Sequence, residues 1–174
     1  VDTRPREISA EGSGWPSNRP DRLRAIRSQQ SCPMSDRPPQ LPRLKLAPQQ
    51  RGFSSHIGPF YEIELPHGMR RALQLEPKHL NPEGVVHGGV ITGFADFALY
   101  RAIGDEIGHE VQFATIELNC QFLAATFPGR WLYAEAQVLR RTRSIIFAAG
   151  EIFDADRQIA FASGIWKVID NARH

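Results

Sequence analysis

The chain has 174 residues, enough for one domain with a tail or for two very small domains, and 41% of them are apolar and 23% charged. No stretch approaches the ~20 consecutive apolar residues of a membrane span. Two cysteines, Cys32 and Cys120, are too few for a disulfide framework or a multi-cysteine zinc site. The formal net charge of +2 is unevenly spread: residues 1–50 carry nine Lys/Arg against five acids, and residues 51–174 carry twelve against fourteen. The part able to fold is therefore slightly acidic, which argues against nucleic acid as its partner.

Residues 1–50 hold eight of the thirteen prolines and none of the ten Phe or three Tyr. A segment with so little to bury cannot offset its ordering entropy, so a disordered tail is expected there. Its acids and prolines also spoil the amphipathic helix of an organellar transit peptide. Met34 opens a short linker, so residues 1–33 read as an over-extended start or a processed leader. A folded domain is expected over 51–170, and a short tail over 171–174.

Within the domain, 57–65 and 69–76 read as two strands joined by the turn Pro66-His67-Gly68. After the loop HLNPEGVVHGG comes VITGFADFALYRAIG (90–104), too long for a strand and apolar on nearly every side. That pattern predicts a buried helix, ended by Gly104 and Asp105. Four strands follow, over 111–124, 131–141, 145–154 and 158–169, with short connections that predict an antiparallel meander. In the first, alternation puts Ile116, Leu118, Cys120 and Phe122 on one face and Thr115, Glu117, Asn119 and Gln121 on the other. The fold class is α+β, one greasy helix wrapped by a curved antiparallel sheet.

Several chemistries are absent by inspection: no Walker loop, no dinucleotide fingerprint, no nucleophile elbow in the domain, and no histidine pair at metal-binding spacing. Cys120, on an apolar strand face, reads as a buried inert thiol. Asp96 stands out, because a carboxylate in the middle of an apolar helix is desolvated unless something polar meets it. It is either a structural acid paired with an arginine such as Arg101 or with backbone, or a base or nucleophile at a cleft. His87-Gly88-Gly89 opens the helix, where unpaired N–H groups and the dipole favour negative charge and glycines admit a ligand to the backbone. That is a plausible oxyanion hole, or simply a tight turn with His87 as a loop brace. Arg140, Arg141, Arg143 and Ser144 surround a turn that suits phosphates, though a solvated turn has the same composition. Phe94, Phe97 and Tyr100 near Asp96 suit an apolar or aromatic pocket, or the core.

Taken together, N81-P-E-G-V-V-H-G-G-V-I-T-G-F-A-D-F-A98 resembles the signature of the hotdog-fold acyl-CoA thioesterases of the PaaI-like type, and the likeness extends over about 52–170. The resemblance implies a sheet wrapped around one long central helix, and homodimers or dimers of dimers with acyl-CoA bound between protomers. It implies Asp96 as general base or nucleophile, Gly88 as the N–H that polarises the thioester carbonyl, and Asn81 as a side chain holding that carbonyl. His87 belongs to the same motif, and Thr115 falls where some members position the water with a hydroxyl. Arg140, Arg141, Arg143 and Ser144 fall in a hairpin that touches the CoA nucleotide in relatives; Tyr100, from the aromatic residues near Asp96, is a further candidate substrate contact.

Gly88 and Asp96 are eight residues apart, about 12 Å along a helix axis, too far to serve one carbonyl from one chain. A two-fold axis would bring them together from two chains. The expectation is a cytoplasmic acyl-CoA hydrolase with no cofactor beyond the CoA of its substrate, no metal, and no membrane or nucleic-acid partner. The alternative is a non-catalytic acyl-CoA sensor; a hydratase would need a His-Asp or His-Glu pair that is not seen.

Overall fold

The structure, a computed structural model, describes residues 44–48, 51–155 and 157–169. Its elements are β1 (Leu44–Leu46), helix α1 (Phe53–Ile57), β2 (Phe60–Leu65), β3 (Gly68–Gln74), a 3-10 turn (Pro77–His79), helix α2 (Gly88–Ile107), β4 (Phe113–Phe122), β5 (Trp131–Arg141), β6 (Ile145–Asp154) and β7 (Arg157–Val168). The α+β arrangement expected from the sequence is present: seven antiparallel strands form one sheet around α2. Residues 44–46, assigned from composition to the tail, form a strand on β2. Residues 1–43, 49–50 and 170–174, which include most of the expected tails, lie outside the described residues.

The apolar character of α2 explains its position. Val90, Ile91, Phe94, Ala95, Ala98, Leu99 and Ile103 are buried against the concave face of the sheet, where Leu73, Leu132, Ile146, Ile152, Ile159 and Trp166 meet them. The helix touches β3 through β7. Burial of this kind is the main stabilising term, at about 1.5–3 kcal/mol for each large aliphatic or aromatic side chain.

Strand order departs from the expected four-strand meander. The sheet runs β1-β2-β3-β5-β6-β7-β4, so β4 pairs with β7 at an edge and β5 pairs with β3. Residues 123–130 cross from one side to the other. Leu123 N–H donates to the Ile159 carbonyl, and Gly129 N–H donates to that of Leu75. The crossing is bolted by Asp154, whose carboxylate, 2% exposed, accepts from Thr126 Oγ1 at 2.6 Å and from Arg157 Nη2 at 3.2 Å.

Nor does α2 stop at Gly104 and Asp105. Gly104 lies inside the helix, with the half-exposed His109 ring packed where a Cβ would stand. The Asp105 carboxylate pairs with buried Arg71 and with His109. The helix ends instead at Gly108, whose φ of 98° lies in the left-handed region favoured by glycine, with its N–H donating to the Gly104 carbonyl.

A bulge lies between Thr115 and Glu117 in β4, where Thr115 faces Trp166 and Glu117 faces Ile165. Opposite it, Gly164 brings β7 so close that a Cβ would fall 2.5 Å from the Glu117 carbonyl oxygen and 2.7 Å from the Trp166 ring. Neither neighbour can yield without moving sheet or core. Gly164→Ala is therefore expected to lower stability by about 1–3 kcal/mol, the usual cost of overpacking. Urea unfolding at unchanged m-value checks this, and an unchanged midpoint would contradict it.

Candidate active site

The side of α2 turned away from the core carries Gly89, Thr92, Gly93, Asp96 and Tyr100, which fall together by helical periodicity. Helix α1 crosses it at Gly93, where a Cβ would meet Ile57 Cδ1 at 2.6 Å and Phe53 Cε1 at 3.2 Å. Tyr100 is 39% exposed and stacks on Phe113, with ring centroids 4.3 Å apart.

Asp96 is half-buried, and its printed polar contact is Thr115, whose Oγ1 donates to Oδ1 at 3.1 Å. The Arg101 partnership considered from sequence does not form: Arg101 Nε donates to Glu62 Oε1 at 2.8 Å. Thr115 reaches the carboxylate because of the bulge. Strict alternation would set it on the face opposite Leu118 and Cys120, whereas the extra residue, Ile116, brings all three onto the helix side. Ile116, expected beside Cys120, is displaced outward and is 58% exposed. Cys120 is half-buried rather than buried; burial raises its thiol pKa, opposed by a bond to Thr92, so it stays a neutral thiol.

The start of α2 is built by its preceding loop. Asn81 Oδ1 accepts from the N–H groups of Glu83 and Val85, at 3.0 and 3.1 Å, which makes Asn81 the organiser of its own turn. Gly84, at φ 80°, completes that turn. His87 caps the helix, its Nδ1 accepting from Gly89 N–H at 2.8 Å. Buried His79, which composition did not single out, accepts His87 N–H on its carbonyl at 2.8 Å, and the Thr126 carbonyl accepts Val86 N–H at 3.0 Å. With Gly89 N–H taken by His87, Gly88 N–H has no hydrogen-bond partner among the described residues.

Beside Gly88 opens a cleft of about 410 Å³, lined by Val85, Val86 and Ile91 and by Phe122, Leu123 and Ala124. Phe122 and Leu123 escaped the sequence reading as site residues, because parity alone does not reveal where a strand leaves its sheet. Both are exposed, as are Ile116 and Phe127, so four large apolar side chains crowd the edge strand and its exit.

The cationic hairpin is elsewhere. Arg140, Arg141, Arg143 and Ser144 are exposed at the β5–β6 turn, closed by Thr142 Oγ1 accepting from Ile145 N–H at 2.9 Å. Ser144 accepts from Val168 N–H, and Val168 pairs with Phe113. This places the hairpin at the Phe113 end of β4, about 30 Å from the cleft at the Phe122 end. Among the described residues no group of three or more His, Cys, Asp or Glu could hold a metal, and no helix is long and apolar enough to cross a membrane.

Residues 83–161 match the family model of the thioesterase superfamily. The chain is similar to the Pseudomonas aeruginosa protein PA0474, which its name gives as a presumed esterase, at 27% identity over 111 residues that span 63% of this chain and 83% of the relative. Among solved structures it resembles BH2602 of Bacillus halodurans, crystallised with CoA, with a TM-score of 0.58 at 22% identity over 63% of this chain and 74% of that one. It also resembles PaaI of the E. coli phenylacetic acid degradation operon, with a TM-score of 0.57 at 21% identity over 64% and 80% of the two chains. The structural likenesses establish a shared fold.

Burial pushes the Asp96 carboxyl above its ordinary value of 3.8, and the Thr115 hydroxyl partly opposes this. A carboxyl raised in the folded state contributes stability fully below its unfolded pKa and loses it as pH rises through the folded one. Asp96→Asn keeps the acceptor for Thr115 and removes the desolvated charge. The variant is expected to melt above the parent at neutral pH, with the gain shrinking on acidification and vanishing below the ordinary carboxylate value. Calorimetry across that pH range checks this; a lower melting temperature at neutral pH would contradict it.

Proposed function

We propose that this chain, whose residues 83–161 match the thioesterase-superfamily model, hydrolyses acyl-CoA thioesters at a site shared between two protomers. The observation that carries the reading is a half-buried carboxylate of raised pKa on the open side of α2, tied to Thr115, with an unpartnered Gly88 N–H on the same helix. A carboxyl shifted upward is a stronger base once ionised, and an N–H free at a helix N-terminus suits developing negative charge.

In the reaction, the thioester oxygen accepts from Gly88 N–H. Asp96 takes a proton from water as the water oxygen adds to the carbonyl carbon. The tetrahedral oxyanion collapses, the C–S bond breaks, and the proton passes from Asp96 to the departing CoA sulfur. Direct attack by the Asp96 carboxylate would give an anhydride that water then opens. Thr115 fixes the carboxylate, while Asn81 and His87 hold the loop and the first turn that present Gly88. The amide nitrogen of Asn81 is still able to donate to the carbonyl.

The distances favour two chains. Gly88 and Asp96 stand about 12 Å apart along α2, and the apolar cleft and the arginine hairpin lie at opposite ends of β4. A two-fold axis near the middle of that exposed edge strand would bring the Asp96 and the arginines of one protomer to the Gly88 and cleft of the other. The arginines would then meet the CoA phosphates. The CoA-bound relative supports this choice of ligand.

Mixed dimers test the sharing. His87 already has φ −63° and ψ 132°, the conformation required before proline, and Gly88 is the first helical residue, where proline is well tolerated. Gly88→Pro thus deletes the donor N–H while keeping the turn, and its ring also presses on Phe122, whose Cζ a Cβ there would approach to 3.2 Å, so both lesions stay with the chain that carries the proline. Asp96→Asn and Gly88→Pro should each be inactive as homodimers. Refolded together, they should recover roughly a quarter of the native sites, since half the dimers are mixed and each has one intact site. No recovery despite measured subunit exchange would refute the shared site, and acyl-CoA binding by the unaltered protein without turnover would favour a sensor.

A further inference from the structure

Resting on that reading, we infer that His79 is a positioning residue for the Gly88 donor: its neutral imidazole holds the loop before α2, and a proton taken up at Nδ1 slackens that loop and withdraws the donor. His79 is 1% exposed and does not line the cleft beside Gly88. Its bonds run in two directions. Glu76 N–H donates to the ring Nδ1 at 3.0 Å, and the Glu76 side chain accepts from His79 N–H, a capping box that closes the 3-10 turn. On the other side, the His79 carbonyl accepts His87 N–H at 2.8 Å, and Leu80 bridges to Val86. Gly88 follows His87 directly, so a shift of the His79 carbonyl turns the donor N–H.

The ring has only one protonation state that fits these bonds. An Nδ1 that accepts carries no hydrogen, which leaves the hydrogen on Nε2. Nε2 is buried towards the Ile57 carbonyl at the end of α1 and makes no well-formed hydrogen bond among the described residues. A second proton would convert Nδ1 to a donor facing the Glu76 N–H, and two donors cannot share that contact. Burial first, and the Lys78 ammonium second, hold His79 below its ordinary value of 6.5, opposed by Glu76 and by the Ile57 carbonyl. Glu83 and His87 on the loop, His56 on α1 and Arg130 after the crossing are the further charged or titratable groups on the elements around it. The neutral form therefore prevails at neutral pH, and acid acts on both halves of the site, by protonating Asp96 and by releasing the loop at His79.

Comparing His79→Asn with His79→Leu isolates the acceptor. The two replacements are close in shape and both vacate part of the ring volume, but only the Asn oxygen can accept from Glu76 N–H. At neutral pH, kcat of His79→Asn should stay within about threefold of the unaltered protein. That of His79→Leu should be about tenfold or more lower than His79→Asn, part of the loss expected when an oxyanion donor is removed. KM should change less than about twofold in either. His79→Leu should melt no lower than His79→Asn, so that slower turnover is not general loss of stability. Below pH 6.5, the ratio of unaltered to His79→Asn kcat should fall about tenfold, because Asn does not titrate while Asp96 and His87 are common to both.

The Gly88 amide resonance follows the donor without turnover and without a variant. In the unaltered protein it should move with pH along the titration curve of the His79 ring, and His79→Asn should remove that step while leaving any step due to His87. A Gly88 amide indifferent to His79, a constant kcat ratio across the acid range, or equal kcat in the Asn and Leu variants would overturn the inference. If no acyl-CoA is hydrolysed yet the Gly88 resonance follows His79, the hydrolase reading fails and the positioning role stands.

Discussion

An α-helix as apolar as α2 has to be covered over most of its circumference, and the sheet bends around it from β3 to β4 to do so. What the sheet leaves uncovered is a narrow side, crossed by α1 at Gly93, on which Gly89, Thr92, Gly93, Asp96 and Tyr100 succeed one another. A polar group that must meet a ligand has no other place on this helix to stand. The same burial that stabilises the fold sets the environment of the carboxylate, by removing water from part of Asp96 and raising its pKa. Stability given up at one residue thus becomes basicity at that residue.

The order of the strands distributes the remaining parts. Because β4 pairs only with β7, its other edge is unpaired among the described residues, and its two ends serve different neighbours. The Thr115 end attends Asp96, while the Phe122 end attends Gly88 and the cleft. The crossing segment 123–130 leaves the cleft wall and passes beneath the loop before α2, where the Thr126 carbonyl receives Val86 N–H. Asp154 clamps that crossing from the β6–β7 turn. The backbone leading to Gly88 is thereby braced by the His79 carbonyl, by the crossing segment and, through Thr126, by Asp154.

How much of this was legible in the residues follows from how local each signal is. β5 and β6 have the bounds read from alternation, whereas α2 starts at Gly88, two residues before the apolar run at 90 that marked it, with the expected loop brace His87 as its cap. Asp96 was conspicuous because a lone acid among Phe94, Ala95, Phe97 and Ala98 contradicts its surroundings. Strand order was not legible: consecutive strands with short links pair as neighbours by default, and only the long-range bonds of 123–130 reveal the crossing. The helix end was misread because two glycines stand four residues apart and only the second, Gly108, takes the left-handed backbone that ends the helix. Thr115 was assigned to the wrong face because a single bulged residue reverses the parity of everything before it, and the glycine that accommodates the bulge lies far along the chain, at 164. β1 is three residues long, too short for alternation to register.

The bulge has a consequence for the company the chain keeps. A strand of ten residues with one edge unpaired among the described residues and exposed apolar neighbours is a template on which other chains can add and aggregate. A regular ladder would accept such additions in many registers. The irregularity at Ile116 interrupts the ladder part-way, and Glu117, Asn119 and Gln121 furnish polar side chains beyond it. A stray flat strand can match only a short part of that edge. The same extra residue that turns Thr115 towards the carboxylate thus also protects an otherwise sticky border against indiscriminate growth.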